Sequence, residues 1–354
     1  MPLPILFFVT LAAPTRLLAA LALALPAARA GLLFALVDPV NETQPSFTAL
    51  IDAPNSSFVP QGALPLNLQG AEQLVALGSG RTLYTLFSNF STNRMDLVGV
   101  DLMSGAIVSH VPTPLPMLTI EGDGQYMAYV PASNEVALVG ALSETVDAEW
   151  RVMAVQPDSG KVRYVAKISG ADFFSMGLGN FGGFSPSSNI FWFQLRNRTN
   201  EEVTASFHVD MTTGAIRTTQ GCWFASATYD SVRDEMLGFA VFRNGTTLKD
   251  VFIAVGRVPA NASAPCKIGP LVFSEVSKFG TVSGSLIAFD AESRSLYAYA
   301  AHSADLDVST LIAVHSETGK FTEFSPDIPD DDHYPTAIVV SGMCDEGACA
   351  DLWR

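Results

Sequence analysis

Ala128-Tyr-Val-Pro-Ala-Ser-Asn-Glu-Val-Ala-Leu-Val139 is the stretch on which the fold turns. One apolar run meets a short turn of small and polar residues, and a second apolar run follows. Turn formers between two β-rich apolar runs mark a β-hairpin. The arrangement returns at Gly183 (Gly-Phe-Ser-Pro-Ser-Ser-Asn-Ile-Phe-Trp-Phe193) and at Thr228 (Thr-Tyr-Asp-Ser-Val-Arg-Asp-Glu-Met-Leu-Gly-Phe239). It returns again at Ala288 (Ala-Phe-Asp-Ala-Glu-Ser-Arg-Ser-Leu-Tyr-Ala-Tyr299). A looser copy begins at Ala76 and a truncated one near Ala337, so successive copies start 45 to 60 residues apart.

A second hairpin interleaves with the first. Leu97-Val-Gly-Val-Asp101 leads through Ser104-Gly105 into Ala106-Ile-Val, and Met153-Ala-Val-Gln156 through Ser159-Gly160 into Lys161-Val-Arg. Ser206-Phe-His-Val-Asp210 leads through Thr213-Gly214 into Ala215-Ile-Arg, and Leu311-Ile-Ala-Val-His315 through Thr318-Gly319 into Lys320-Phe-Thr. Each glycine sits where a tight turn needs positive φ, and Asp or Ser can bond the turn backbone. Gly31 and Val251 begin divergent copies.

Two hairpins in a unit of roughly 50 residues give four strands, the spacing of a propeller blade. No long stretch carries sustained helical periodicity with capping residues. One four-stranded blade cannot bury both faces alone, whereas blades packed radially can, leaving only short edges. The reading is therefore all-β, a six-bladed β-propeller. Five complete blades lie between about residue 71 and residue 325. The sixth is shared between N-terminal strands at about 32–38 and 46–51 and C-terminal strands at about 336–342 and 349–353. A seven-bladed ring is the alternative, with residues 52–70 hiding a weak strand.

Residues 1–30 stand apart: they contain no Asp or Glu, and Leu17 to Pro26 is a short apolar core behind Arg16. Ala28-Arg29-Ala30 supplies the small-x-small pattern read by signal peptidase, so cleavage before Gly31 is expected. Pro14 and Arg16 break the apolar run, so neither half reaches the roughly 20 residues of a membrane span. No later segment is a credible span, and Asp351-Leu-Trp-Arg354 is neither a lipid-anchor tail nor an ER-retention signal. Residues 31–354 are then a single propeller domain, secreted or held in the secretory lumen. Cleavage removes Arg16 and Arg29 and takes the formal charge from −15 to −17. Such a surface repels nucleic acid and anionic membranes and favours cations.

Six sequons fit the same compartment: Asn41, Asn55, Asn89, Asn197, Asn244 and Asn261, each followed by Ser or Thr two residues on and none with Pro between. Glycosylated positions mark surface loops. Cys222, Cys266, Cys344 and Cys349 are an even count in an oxidising compartment, which suggests two disulfides. Four cysteines allow three connectivities. Cys344 and Cys349 flank a short turn and pair most easily, which leaves Cys222 with Cys266.

The chemistry-bearing residues are sparse. Asp327, Asp330, Asp331 and Asp332, followed by His333, form the densest charge cluster. Clustered carboxylates can hold Ca²⁺, which takes six to eight oxygens, though no EF-hand spacing is present and a solvated acidic loop has the same composition. No cofactor is identified from the sequence, and Ca²⁺ is the one candidate that this cluster offers. The histidines at 110, 208, 302, 315 and 333 are scattered, with none at metal spacing. Gly-x-Ser-x-Gly is absent. Phe173 to Phe184 is aromatic and Gly-rich, suited to packing at a blade entry or to lining a pocket.

The paired hairpins resemble the secreted propellers of the YVTN, NHL and quinoprotein-like superfamily. That resemblance covers nearly all of the chain after residue 30 and implies a binding face. It would hold the connections between second and third strands and those between blades, near 113–124, 143–148, 169–180, 275–283, 302–307 and 325–334. Asn89, Asn197 and Asn244 fall at second-to-third-strand connections, where glycans would crowd the rim. The expected function is extracellular binding or scaffolding, with a protein, glycan or small molecule as partner. The alternative is a secreted propeller enzyme, a metal-dependent hydrolase or cofactor-dependent oxidoreductase, with its site at the channel mouth.

Overall fold

In a computed structural model of the chain, the described residues are 32–39, 47–52, 57–63, 75–78, 81–116, 124–125, 127–141, 149–168, 173–174, 179–180, 182–197, 204–220, 224, 226–243, 251–259, 269–273, 279–302, 309–324 and 333–341. All of their regular structure is β. β1 (Leu32–Pro39), β2 (Phe47–Asp52) and β3 (Ser57–Ala63) lie side by side. β4 (Val75–Leu77), β5 (Thr82–Asn89), β6 (Arg94–Asp101) and β7 (Ile107–Pro116) make the first complete sheet. After the two-residue β8 (Gly124–Gln125) come β9 (Met127–Val130), β10 (Glu135–Ala141), β11 (Trp150–Val155) and β12 (Val162–Ile168), the second sheet. β13 (Phe173–Phe174) and β14 (Gly179–Asn180) lead into the third: β15 (Gly182–Ser185), β16 (Ile190–Asn197), β17 (Thr204–Asp210) and β18 (Ile216–Gln220), with β13 also on β16. β19 (Ser226–Asp230), β20 (Glu235–Arg243), β21 (Val251–Pro259) and β22 (Gly269–Phe273) form the fourth. β23 (Phe279–Asp290), β24 (Ser295–His302), β25 (Ser309–His315) and β26 (Phe321–Phe324) form the fifth. β27 (His333–Ser341) returns to pair with β1, giving a sixth sheet in the order β27-β1-β2-β3.

Six antiparallel, propeller-like sheets result. The first strand of each touches the first strand of the next: β4 with β9, β9 with β15, β15 with β19, β19 with β23, β23 with β27, and β27 with β4. Among the described residues, the core follows this order as six clusters at six seams. Leu86 and Leu97 meet Val136 and Met153 between the first two sheets. Val139 and Trp150 meet Phe191 and Phe207, and Trp192 meets Phe224 and Met236. Leu237 and Phe239 meet Ile287 and Leu296, and Ala288 and Leu311 meet Leu33 and Ala49. Phe34 and Leu36 meet Leu83 and Val98 at the seam between the sixth sheet and the first. Middle strands are covered on both faces, which is why Met95 to Val100 are all buried. Full burial of each Leu or Phe contributes about 1.5–3 kcal/mol.

The sixth sheet differs from the expected two-and-two division: three strands come from the N-terminal side and one from the C-terminal side. Residues 52–70 do hide a strand, but it joins this sheet on its outer edge. Pro60 and Gly62 make it read as a loop. An outer strand tolerates Pro, because one side of its ladder is free. The register also slips between Thr48 and Ala49, opposite Gly62 and Pro60, a bulge that absorbs Gln61. The expected strand at 349–353 lies outside the described residues.

The glycine turns form as expected, with φ of 65° at Gly105, 66° at Gly160, 72° at Gly214 and 69° at Gly319. They also serve packing. A Cβ on Gly160 would lie 2.2 Å from the Pro112 carbonyl oxygen, on the outer strand of the preceding sheet. A Cβ on Gly105 would lie 2.5 Å from the Gly62 carbonyl carbon, so the sixth sheet abuts the first by the same device. The first hairpins use a left-handed residue with a side chain instead: Asn134, Asn189, Asp234 and Arg294. Asn and Asp tolerate this region; Arg294, at φ 56°, is the outlier.

Candidate functional site

Antiparallel order puts the first and third turns of every sheet at one end and the second turns and inter-sheet connections at the other. At the connection end, β8 and β14 pair in parallel, with Gly124 opposite Gly179 and Gln125 opposite Asn180. β14 packs against β19 and β23, and β8 against β23. β8, β14 and β23, into which three of the six connections expected on the binding face (113–124, 169–180 and 275–283) run, therefore meet. Residues 143–148, 303–307 and 325–332 lie outside the described residues, and with them Asp327, Asp330, Asp331 and Asp332. So do all four cysteines, Cys222, Cys266, Cys344 and Cys349, and the sequon residues Asn41, Asn55, Asn244 and Asn261. Asn197 is placed by its backbone at the end of β16.

Asn89 is the sequon seen in full. Its Oδ1 accepts Ser91 N at 3.2 Å and Ser91 Oγ at 2.6 Å, and its Nδ2 donates to Asp96 Oδ2 at 3.0 Å. Asp96 is buried and is also 2.9 Å from His110 Nε2, while its Oδ1 has no partner. Asn89 is half-buried, and Phe90 beside it is 80% exposed.

The turn end is chemically denser, and its charges are committed to structure. Asp101 Oδ1 accepts Met103 N and Ser104 N at 3.1 and 2.9 Å, and Asp210 Oδ1 accepts Thr212 N and Thr213 N, both at 2.8 Å. Burial alone would raise the Asp101 carboxyl, but Ser104, Arg81 and Met103 outweigh it and hold it low. The Thr213 amide does the same for Asp210. His315 takes this capping place in the fifth sheet, its Nδ1 accepting Glu317 N and Thr318 N at 3.3 Å. His208 is buried beside Thr219. Each histidine thus makes hydrogen bonds within its own second hairpin.

Between sheets, Glu135 takes Arg163 in two hydrogen bonds of 3.1 and 2.6 Å, and Arg163 Nη1 donates to Met211 O of the next sheet at 3.0 Å. The fourth seam repeats this with Glu235 and Arg257, whose Nη2 donates to Ser316 O. There Asp230, fully buried, also takes both Nη atoms of Arg294 at 2.8 and 2.7 Å. Arg294 Nε is 3.4 Å from Glu317, which pairs with Arg233.

Asp234 is the nearest approach to a nucleophile and base. It accepts Ser185 Oγ at 2.5 Å, Ser187 Oγ at 2.6 Å and Tyr229 Oη at 2.8 Å. Burial pushes its carboxyl up, but the three hydroxyls prevail and hold it below the usual range. A carboxylate so stabilised is a weaker base than an unpaired one. Tyr229 is pushed up to about 12 by burial, with Asp234 adding to it. Among the described residues, no three His, Cys, Asp or Glu converge as a metal site. Nor is any helix among them long and apolar enough to cross a membrane. Sequence reading missed these seams; the signal available was Asp230 and Asp290 at one repeat position, with Asp234 and Arg294 at another.

No family model matches the chain, and no curated protein matches it. Among solved structures it is similar to the β-propeller domain of the trilobed protease from Pyrococcus furiosus, with 9% identity, a TM-score of 0.44, and coverage of 72% of this chain and 71% of that one. It is also similar to Pyrococcus horikoshii acylaminoacyl peptidase, at 9% identity, TM-score 0.42, and coverage of 74% and 41%. Cobalt-substituted Synechocystis ACO stands at 11% identity, TM-score 0.47, and coverage of 82% and 70%. Identities and TM-scores this low carry no residue correspondence.

Proposed function

We propose that this protein is a secreted, N-glycosylated six-bladed β-propeller that binds an extracellular partner through its connection end. The ring closes through three N-terminal strands and one C-terminal strand. The cyclic contacts of the first strands, β27 with β4 included, support that closure. The interleaved hairpins support kinship with the YVTN, NHL and quinoprotein-like propellers. The leader pattern of residues 1–30 and the six sequons support secretion. The observation that carries the choice of end is the β8–β14 pairing, which joins connections from different sheets beside β19 and β23. At the turn end, by contrast, Asp101, Asp210, Asp230, Asp234 and Glu135 are bound to backbone amides, hydroxyls and arginines.

An added glycan tests the choice. Ser143→Asn creates an Asn-Glu-Thr triplet in a connection, and Pro131→Asn creates an Asn-Ala-Ser triplet at an exposed first turn. Binding of the labelled secreted protein to the surface of its source cells is then measured. Loss with Ser143→Asn and retention with Pro131→Asn is the expected result; the reverse pattern places the binding face at the turn end.

A further inference from the structure

β8 and β14 make the one parallel pair among the described strands. Strands joined by a tight hairpin run antiparallel; a parallel pair needs a long connection between its members. Here that connection is the whole second sheet. Gly124–Gln125 stand just ahead of Met127, where β9 begins, and Gly179–Asn180 just ahead of Gly182, where β15 begins. Both segments therefore arrive at first strands from the connection end, heading the same way. Two arrivals that lie side by side pair in parallel, Gly124 with Gly179 and Gln125 with Asn180.

Where the pair lies follows from what it touches. First strand meets first strand in the cycle β4, β9, β15, β19, β23, β27. In a ring of six, β23 stands opposite β9, three steps away in either direction. Yet β8, which leads into β9, touches β23. β14, which leads into β15, touches β19 and β23, one and two steps on. A ribbon kept against the wall beside its own sheets would meet only their neighbours. This one reaches the far side. β23 is the inner edge strand of the fifth sheet, paired with β24 on one side only. Its register jumps between Val282, opposite Ala300, and Ile287, opposite Ala298, so residues 283–286 stand against Tyr299 alone. Extra residues of this kind leave the ladder and bend the strand.

We propose that the β8–β14 pair is a strap across the connection-end mouth of the central channel, and that the partner of this end is a folded cationic protein docking on the strap from outside. The inference rests on the six-membered ring and the connection-end reading proposed above. A small molecule needs a concave site that buries most of its surface, and a barred mouth denies it the channel from this end. A protein surface needs only area, about 800 Å² on each partner. The formal charge of −15 favours a positive partner.

The test uses the full secreted chain carrying Gly124→Cys and Gly179→Cys together. Neighbouring strands lie about 4.8 Å apart, inside the roughly 4.4–6.8 Å that separates the Cα atoms of a disulfide. The two cysteines are expected to join, read by peptide mapping without reduction; free thiols at both positions overturn the strap. If that pair is not secreted, the second register pair, Gln125→Cys with Asn180→Cys, takes its place. Binding of the labelled protein to its source cells decides the rest. The cross-linked protein is expected to bind within about twofold of the two single-cysteine variants, whereas a site behind the strap needs it open, so a loss of about tenfold or more on cross-linking overturns outside docking. Protease treatment of the cells is expected to abolish binding; binding that survives it overturns the protein partner. Binding is also expected to weaken as salt is raised; indifference to salt overturns the cationic one. A wild type that binds no cells overturns the functional reading and the docking with it, while the cross-link still decides the strap.

Discussion

The seam between the fourth and fifth sheets and the seam between the fifth and sixth start from one repeat and are finished differently. In the first, Asp230 sits between Arg257 and Arg294, with Glu235, Glu317 and Arg233 extending the network. In the second, Asp290 has no arginine among the described residues, and the seam is closed by Leu33, Ala35, Val37, Ala49 and Ile51 against Ala288, Tyr299 and Leu311. The Tyr299 hydroxyl is buried without a partner, and burial drives it far above its usual range. The lesson concerns cost. A buried ion pair adds little over an apolar contact of the same volume, yet removing one member leaves a charge stranded. Apolar packing suffices to join two sheets; once an acid is buried, its partner is no longer optional.

The sharpest way to break the comparison is Arg294→Met. It strips Asp230 of two hydrogen bonds and should cost about 3–5 kcal/mol, read by chemical denaturation. A cost near zero would mean that Arg257 alone satisfies Asp230. Gly160→Ala comes next, because it forces a side chain into left-handed backbone and against Pro112 O. We expect a loss of about 1–3 kcal/mol in urea.

Glu135→Gln tests the seam between the second and third sheets and should cost about 1.5 kcal/mol at neutral pH. The Arg163 hydrogen bonds, aided by Ser133, hold the Glu135 carboxyl below its ordinary value despite burial. A carboxyl lowered on folding stabilises above its unfolded pKa of about 4.3, and the contribution is lost as pH falls through the lower folded value. The gap in urea midpoint between wild type and variant should therefore close on acidification; a gap that persists at pH 2 would assign it to shape. The smallest effect is expected at the connection end. Phe90→Ser removes a side chain that is 80% exposed and should shift stability by no more than about 0.5 kcal/mol.

Much of the fold was legible in one dimension. Hairpins announce themselves by local turn chemistry, so the turns at Gly105, Gly160, Gly214 and Gly319 and both leading strands of the chain lie where the pattern put them. β3 was legible only as a weak strand of an alternative seven-bladed ring, since Pro60 and Gly62 are unfavourable in a generic strand and acceptable only at an edge, and its place on the sixth sheet was not. The seams were not legible either. Asp230 and Arg294 are 64 residues apart, and each read alone is an ordinary polar turn residue. Of the candidate site, the connections could be assigned to one end by strand alternation, but the pairing of Gly124 with Gly179 could not.

By itself, the sequence determined the repeat, its four-strand unit, the glycine turns and the leader-like opening, because each depends on residues close together in the chain. Only the tertiary structure decided which acids are buried and which arginines answer them. Those outcomes depend on how one sheet stacks on the next. The repeat sets that order, but burial and pairing arise only once the sheets are in contact.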